Sequence, residues 1–435
     1  MSEKYNIELL TEYVKGSNIP QCNWDKILQE VLLPHNLHQP ILLRPIVENI
    51  ISQGDVDLLY PESTIQTYIE YLINLCEKFH LHIFIRAYDK NTVSIKLFDI
   101  HAQSWIMLDI HTAIYQLNDK RLSLKWENIS NQINTNSVQE LDPVIAGYFY
   151  LLHLYAQKKK LDSYSVRKRI IFFTDRLKKH HNRKDSEKLI KLLNTTDLIK
   201  LPSTQEEAKN RLIELLDLNY DSYLYKSHSS LKRRIKRKWA RNALKSKKIM
   251  FFGADGAGKT TLMTGLNPSA KILSNLTTHR RGIIYKLAKR KVKKSDNLSQ
   301  ASDIFPLFFF FKSLIYTVFL YLFKSKTYYF DRMPSDILIM NRKSDDIHAH
   351  PRAHQLYKLI SGFVNIHIIG QNQENFINSK DEMSANQIIK YNQLSSHYML
   401  MGRPLNYLIY RNYHSIEESR ETLKKILEIS NVRYK

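Results

Sequence analysis

The sequence predicts an α/β protein with more than one domain, and three observations support this. Short apolar runs of strand-like composition alternate with helical patterns in the first and last parts of the chain, and such alternation is typical of α/β folds. A glycine-rich loop at 253–258 joins one apolar run directly to a helical pattern. The length of 435 residues, with 43% hydrophobic and 25% charged residues, suits two or three globular domains that can each bury a core.

Residues 1–118 are predicted to form an α/β domain, because β-rich runs and one helical run follow each other at short spacing. The predicted strands are ILL at 41–43, VDLLY at 56–60, HIFIRAY at 82–88, TVSIKLFDI at 92–100 and SWIMLDI at 104–110, with a helix at 63–79.

Residues 119–230 are predicted to form a helical middle domain, since 136–225 shows helical periodicity without clear strands. The segment 231–246 is predicted to be a basic linker within LKRRIKRKWARNALKSKK. It has two readings: a solvated helix, or a surface that binds anionic lipid or nucleic acid, with Trp239 suited to a membrane interface.

Residues 247–435 are predicted to form a parallel sheet with crossover helices, because strands and helices alternate to the end of the chain. The predicted elements are the strand IMFFG, the loop and its helix, a long apolar helix, the strands TYYFD and VNIHIIG, a helix, the strand LNYLIY and the helix IEESRETLKKILEI. The apolar run at 304–323 is long enough to span a bilayer. It is interpreted as a buried helix, with an interfacial helix and a membrane span as the alternatives.

The loop that follows IMFF fits the phosphate-binding pattern G-x-x-x-x-G-K-[ST]. Glycines let backbone N–H groups turn toward phosphates, and the following helix N-terminus adds partial positive charge. Lys259 is predicted to reach the β- and γ-phosphates of a nucleotide and Thr260 to hold Mg²⁺. The candidate cofactor-binding residues are Gly253, Asp255, Gly256, Ala257, Gly258, Lys259, Thr260 and Thr261.

FFGADGAGKTTL closely resembles the phosphate loop of the thymidylate kinase family, and Phe330-Asp331-Arg332 resembles the D-R signature of the same family. The resemblance implies a P-loop kinase that uses ATP and Mg²⁺, with Lys259, Asp331 and Arg332 as catalytic residues. Asp331 would bind the Mg²⁺ shell, while Arg332 and Asp255 would hold the acceptor. In the lid region that the family uses, this sequence has no arginine, and Lys380 is the early cation there.

A closer resemblance is to thymidylate kinase-like proteins that carry an N-terminal nucleotidyltransferase-like domain, on the run DRMPSDILIM and on Lys380-Asp-Glu382. In that domain, Asp55, Asp57 and Asp109 resemble the nucleotidyltransferase carboxylate set. Asp55 and Asp57 share a strand face because alternate residues point together, and three carboxylates can hold Mg²⁺. The Gly-Ser turn of such enzymes is absent from ILLRPIVENIISQ. A solvated turn and a degenerate binding domain therefore remain alternatives.

The function predicted first is transfer of the ATP γ-phosphate to a nucleoside monophosphate or a related phosphorylated or sugar acceptor. The alternatives are a nucleotidyltransferase that uses the Asp-x-Asp site and a non-catalytic nucleotide-gated binding protein. The net charge of +23 favours anionic partners, although no motif points strongly to nucleic acid, and the resemblance is compatible with a homodimer. Two cysteines and an N-terminus without signal features predict a cytoplasmic protein, with a peripheral place at the inner membrane face through the linker as the alternative.

Overall fold

The computed structural model of the protein has α/β architecture and contains a mixed sheet, so the predicted α/β class is confirmed. It describes residues 22–44, 46, 50–52, 54–88, 92–116, 121–129, 139–156, 163–179, 183–194, 202–216, 224–225, 235, 238, 241–245, 248–254, 256–274, 328–331, 357–358, 361–370, 385–412 and 414–433. The apolar run at 304–323 and most of the linker at 231–246 lie outside these residues, and their interpretations stay predictions.

The elements are numbered in chain order. The strands are β1 (Ile41–Leu42), β2 (Asp55–Leu59), β3 (His82–Arg86), β4 (Thr92–Phe98), β5 (Trp105–His111), β6 (Ala113–Gln116), β7 (Arg121–Lys125), β8 (Gln139–Glu140), β9 (Leu224–Tyr225), β10 (Lys248–Phe252), β11 (Lys271–Ser274), β12 (Tyr328–Asp331), β13 (Val364–Gly370) and β14 (Asn406–Asn412). The helices are α1 (Trp24–Leu32), α2 (Ile65–Lys78), α3 (Pro143–Ala156), α4 (Tyr164–Lys178), α5 (Arg183–Asn194), α6 (Pro202–Leu215), α7 (Lys259–Leu266), α8 (Ala385–Met401) and α9 (Ile416–Ile429).

The chain divides into two compact units. The first unit comprises residues 1–75, 90–93 and 106–230, and the second comprises 76–89, 94–105 and 231–435. The predicted boundaries at 118, 230 and 246 stay predictions. Two segments from the first third of the sequence, residues 76–89 and 94–105, nevertheless belong by their contacts to the unit that contains the glycine-rich loop at 253–258.

The first unit combines a small mixed sheet with a helical core. β2 pairs in parallel with β5 and antiparallel with β1, and β1 pairs in parallel with β8. Helices α3 to α6 bury apolar side chains such as Tyr148, Phe173 and Leu212 in one cluster. The middle domain predicted to be helical, residues 119–230, also contains the strands β7, β8 and β9. The strands β8 and β9 have two residues each, which is too short to produce a periodic sequence signal.

The second unit is built on five parallel strands in the order β11-β12-β10-β13-β14. The parallel pairing predicted for 247–435 is therefore present, and β11 is a strand that the sequence patterns did not predict. Burial explains the apolar strand sequences, because β13 is buried from Val364 to Ile368. Helix α9 begins with a capping box in which the side chains of Ser415 and Glu418 each bond the other's backbone.

A hairpin from the first third of the chain extends this parallel sheet. β3 pairs antiparallel with β14, with Ile83 opposite Ile409, and β4 pairs antiparallel with β3. The fully buried His82 fixes the hairpin: its Nδ1 accepts a hydrogen bond from the Arg411 backbone N–H at 3.1 Å, and its Nε2 donates to the Ile100 carbonyl oxygen at 3.1 Å. Burial lowers the pKa of His82 to about 3, so this ring is a neutral structural link.

Candidate functional sites

The loop after β10 has a backbone that requires its glycines. Gly253, Gly256 and Gly258 have φ angles of 143°, 80° and 87°, a region that other residues rarely adopt. A Cβ atom at Gly253 would also overlap the carbonyl oxygen of Ile368 in β13. Gly258 is the left-handed N-cap of α7. The sequence therefore folds locally into a tight turn that ends at a helix N-terminus. We call residues 253–259 the glycine loop.

Lys259 is buried within the glycine loop, with a relative exposure of 6%. Its Nζ donates hydrogen bonds to the carbonyl oxygens of Gly253 at 2.9 Å and Ala254 at 2.7 Å. Thr260 and Thr261 follow in the first turn of α7, where Thr260 is exposed and Thr261 half-buried. An ammonium group thus lies inside the turn beside the partial positive charge of a helix N-terminus, an arrangement that favours anions.

Asp331 ends β12, the strand that lies next to β10 in the sheet. In this register Asp331 is opposite Phe251 of β10 on one side and Ser274 of β11 on the other. The residue therefore stands at the carboxyl edge of the sheet, beside the strand that enters the glycine loop, as its place in the sequence predicted. The predicted site residues Asp255, Arg332 and Lys380 lie outside the described residues, as does the side chain of Asp331.

Asn412, at the end of β14, supports the glycine loop from the other side. Its Nδ2 donates a hydrogen bond to the carbonyl oxygen of Ala257 at 3.2 Å. The same Nδ2 would lie 2.7 Å from a Cβ atom at Gly258, so a side chain at 258 would displace it. Sequence reasoning missed Asn412, although its place directly after the apolar run LNYLIY is that of a residue at the sheet edge.

The second candidate site is the carboxylate cluster of Asp55, Asp57 and Asp109 in the first unit. Asp57 of β2 lies opposite Asp109 of β5, and Asp55 is two residues before Asp57 on the same face. One carboxylate oxygen of each residue lies within 4.8 Å of the others. The sequence prediction that these three acids come together is confirmed. By donor type, three carboxylates fit a divalent cation such as Mg²⁺.

Arg44 already occupies a place among these carboxylates. Its guanidinium pairs with Oδ2 of Asp57 in a close contact and with Asp55 at 3.4 Å. The other carboxylate oxygen of Asp57, Oδ1, lies 3.6 Å from Nε2 of His111. Burial alone would raise the pKa of Asp57, but His111 and Arg44 outweigh it, and the pKa lies below its usual value of 3.8. Burial would likewise lower the pKa of Arg44, but Asp57 and Asp55 raise it. Both groups are therefore ionised, and the cluster contains its own cation.

The absence of the Gly-Ser turn in this region was visible in the sequence, whereas no sequence pattern predicted Arg44 as a site residue. Arg44 follows β1, and the antiparallel pairing of β1 with β2 places it beside the carboxylates. In the sequence Arg44 is one arginine directly after the apolar run ILL. Its place beside the carboxylates can be inferred only when the pairing of β1 with β2 is known.

Comparison with protein-family models, with curated proteins and with solved structures gave no match to this chain. Within the described part of the chain, no helix has both the length and the apolar character that crossing a bilayer requires.

Proposed function

We propose that the second unit is an ATP-dependent phosphotransferase of the thymidylate kinase-like P-loop type. It would transfer the γ-phosphoryl group of ATP to a nucleoside monophosphate or a related phosphorylated or sugar acceptor. The observation that carries this proposal is the glycine loop, with its three left-handed glycines and the buried Lys259 ammonium at the start of α7. The position of β12 beside β10, with Asp331 at its end, supports it further.

The chain's own residues account for binding and orientation. Backbone N–H groups of the loop and of the first turn of α7 would bind the β- and γ-phosphate oxygens. Lys259 would exchange its two carbonyl partners for phosphate oxygens, because an ionised acceptor makes a stronger hydrogen bond than a neutral one.

Thr260 and Asp331 are the residues that would hold Mg²⁺, which neutralises charge on the phosphates when it is bound. In the reaction, an acceptor oxygen forms a bond to the γ-phosphorus while the bond to the β–γ bridging oxygen breaks. ADP then leaves with that electron pair.

The test is ADP release from ATP·Mg²⁺, measured with dTMP, other nucleoside monophosphates and phosphosugars offered in turn. One acceptor is expected to raise turnover in wild type, and Lys259→Ala is expected to lower that turnover by at least about 100-fold, since Lys259 contacts the transferring group. Lys425→Ala is the matched control, because Lys425 is an exposed lysine of α9 in the same unit. Its turnover should equal that of wild type.

ATP binding without turnover in the presence of any acceptor would contradict the kinase proposal. That result would favour a nucleotide-gated binding protein, the alternative to which the lid region without arginine also points.

Nucleotidyl transfer at the carboxylate cluster is a second candidate function, favoured by the approach of Asp55, Asp57 and Asp109 within 4.8 Å. Arg44 opposes it, because a divalent cation would have to compete with a paired guanidinium. Pyrophosphate release from nucleoside triphosphates that depends on Asp57 but not on Lys259 would identify this activity. Release that needs Lys259 alone would exclude it.

A further inference from the structure

The turn between β4 and β5, residues Asp99–Ser104 in the second unit, is shaped by one buried carboxylate. Asp99 is 5% exposed. Its Oδ1 accepts hydrogen bonds from the backbone N–H groups of His101 at 2.8 Å and Gln103 at 3.1 Å, and its Oδ2 accepts from the N–H and hydroxyl of Ser104. Four hydrogen bonds to one carboxylate hold the turn in a single conformation. His101 is therefore presented at a fixed position.

His101 stacks on His414, which follows β14. The ring centroids are 4.6 Å apart and the ring planes differ by 20°. Nε2 of His414 lies 3.2 Å from the carbonyl oxygen of Ile100. Because a carbonyl oxygen can only accept, Nε2 carries the proton. The two imidazoles, which we call the histidine pair, lie face to face, so each ring covers one face of the other and a planar ligand could stack only on an outer face of the pair.

The histidine pair lies at the same edge of the sheet as the glycine loop. Asn412 bonds the loop through Ala257, and His414 is two residues further along the chain. Since one residue spans at most about 3.6 Å, the Cα atom of His414 lies within about 7 Å of that of Asn412. β10, β13 and β14 are parallel, and ligands of open α/β sheets bind outside the carboxyl ends of the strands.

His82 already links β14 to the turn between β4 and β5, so the histidine pair is not needed for that structural role. The His82 ring is fully buried and links β14 to Ile100 with both of its nitrogens. The rings of His101 and His414 are half-buried instead. The strands β10 and β13 lie between β14 and β12 in the sheet. The histidine pair, next to β14, is therefore separated by two strands from Asp331 at the end of β12. The edge of the second unit thus offers a phosphate-binding loop with an aromatic surface beside it.

We infer that the histidine pair binds the base of the nucleotide, so that a purine nucleoside triphosphate stacks on it while its triphosphate lies in the glycine loop. This inference rests on the proposed function and adds the base preference of the same site. A base stacked on an aromatic side chain contributes roughly 1–3 kcal/mol, and a purine offers the larger ring surface. His101 comes from the hairpin of the first third of the chain, so that hairpin completes the site.

The experiment measures the dissociation constants of ATP and of inorganic triphosphate, both with Mg²⁺, by calorimetry on the full chain. Wild type should bind ATP more tightly than triphosphate. His101→Ala and His414→Ala should each weaken ATP binding by roughly 5- to 100-fold, the range that base stacking gives, and should leave triphosphate binding within twofold of wild type. Lys259→Ala should weaken both, and His397→Ala, a change at an exposed histidine of α8, should weaken neither.

A second measurement on wild type does not depend on the stability of any variant. Photolysis with 8-azido-ATP should label the segments 99–104 or 412–418, and excess ATP should suppress the labelling. Labelling confined to other segments would overturn the inference.

The outcomes separate the two proposals. Equal affinities of wild type for ATP and triphosphate, with histidine variants that match wild type, would overturn the base-binding role and leave the proposed function intact. Failure of wild type to bind either ligand would overturn both.

Discussion

The glycine loop holds the buried Lys259 and the carboxylate cluster holds the half-buried Arg44, and the partners of these two cations differ. Lys259 donates to the carbonyl oxygens of Gly253 and Ala254, which are neutral. Arg44 pairs with the carboxylates of Asp57 and Asp55. Hydrogen bonds to carbonyl oxygens compensate none of a cation's charge, whereas carboxylates compensate it directly. The cluster therefore resembles a completed ion pair, while the two carbonyl oxygens at Lys259 are partners that the proposed phosphate ligand would replace.

This difference matters because both sites looked equally simple in the sequence. The loop and the Asp-x-Asp run each predicted a ligand, and the structure brings the named residues together in both. The described partners of the central cation differ, with carbonyl oxygens in the loop and carboxylates in the cluster. How far the charge of a site is compensated depends on such pairing rather than on a motif.

The largest expected effect concerns the hairpin of β3 and β4, which we expect the glycine loop to need in order to bind ATP. A fragment 231–435 lacks β3 and β4, so the strand β14 loses its partner at Asn406–Ile409 on one side and keeps only β13 on the other. We expect this fragment to aggregate and to bind no ATP, because an exposed edge strand with buried-type side chains associates with other chains. Size-exclusion chromatography and calorimetry measure both properties. Joining residues 76–105 to the fragment through a flexible linker should restore a monomer, and a soluble 231–435 that binds ATP would contradict the expectation.

Removing each cation in turn tests the contrast directly. Arg44→Met should lower the free energy of unfolding of the first unit by roughly 3–5 kcal/mol, because it leaves the buried Asp57 without its guanidinium. Lys259→Met removes two hydrogen bonds to neutral carbonyl oxygens and should cost less, about 1–3 kcal/mol. Urea denaturation followed by circular dichroism measures both.

The same two variants should differ in the opposite sense in ATP affinity, which Lys259→Met abolishes and Arg44→Met preserves. Asp57→Asn in the Arg44→Met background should recover part of the lost stability. If it recovers none, the cost of losing Arg44 has another origin.

The charge state of the cluster can be examined by pH, with Glu140 as an internal reference in the same unit. Burial raises the pKa of Glu140 from its usual 4.5 to about 7, although Arg176 lies 3.0 Å away. A raised folded-state pKa means that this acid supports folding below pH 4.5 and loses that support as pH rises toward 7. Glu140→Gln should therefore gain stability relative to wild type as pH rises from 4 to 8, by about 1–3 kcal/mol.

Asp57 should behave in the opposite way. Its folded-state pKa lies below 3.8, so its contribution is present above pH 3.8 and is lost as pH falls through the folded-state value. Asp57→Asn should therefore be less stable than wild type at neutral pH, and the deficit should shrink below pH 4. Thermal unfolding of both variants between pH 3 and 8 gives the two slopes, and slopes of the same sign would show that the ion pair of Asp57 is not formed.

The smallest expected effect concerns the support of the glycine loop. Asn412→Ala removes one hydrogen bond to Ala257, worth about 1 kcal/mol, and ATP affinity should fall roughly fivefold, as that free energy implies. Asn194→Ala is the matched control, since it removes an amide hydrogen bond to a backbone carbonyl in the first unit. Equal ATP affinities for Asn412→Ala and wild type would show that the loop keeps its shape without this contact.

The sequence was sufficient where the signal was local. The glycine loop is contiguous, and β2, β3, β4 and β13 were each visible as apolar runs. Asp331 was placed correctly because parallel strands end at a common edge. β11 escaped notice because its four residues, KILS, alternate too briefly to stand out.

Pairing between distant segments could not be predicted. The pattern HIFIR predicts a strand but does not predict its partner. The strand β3 pairs with β14, which lies more than 300 residues away in the sequence. Asn412 shares this origin, since it lies beside the glycine loop only through contacts with a segment 155 residues earlier. Arg44 depends on the pairing of two neighbouring strands, β1 and β2, which a sequence pattern also leaves open. Period-two hydrophobicity fixes which face of a strand is buried, while the choice of neighbour is made by the whole sheet.

During biosynthesis, β3 is made long before its partner strand β14. The two strands meet through Ile83 and Ile409, so the hairpin leaves the ribosome more than 300 residues before the strand that covers it. At roughly 5–20 residues per second, this delay is on the order of tens of seconds. During that interval the hydrogen-bonding edge of β3 is exposed to other nascent chains. Faster elongation, or a chaperone that holds the hairpin, should therefore raise the yield of native protein.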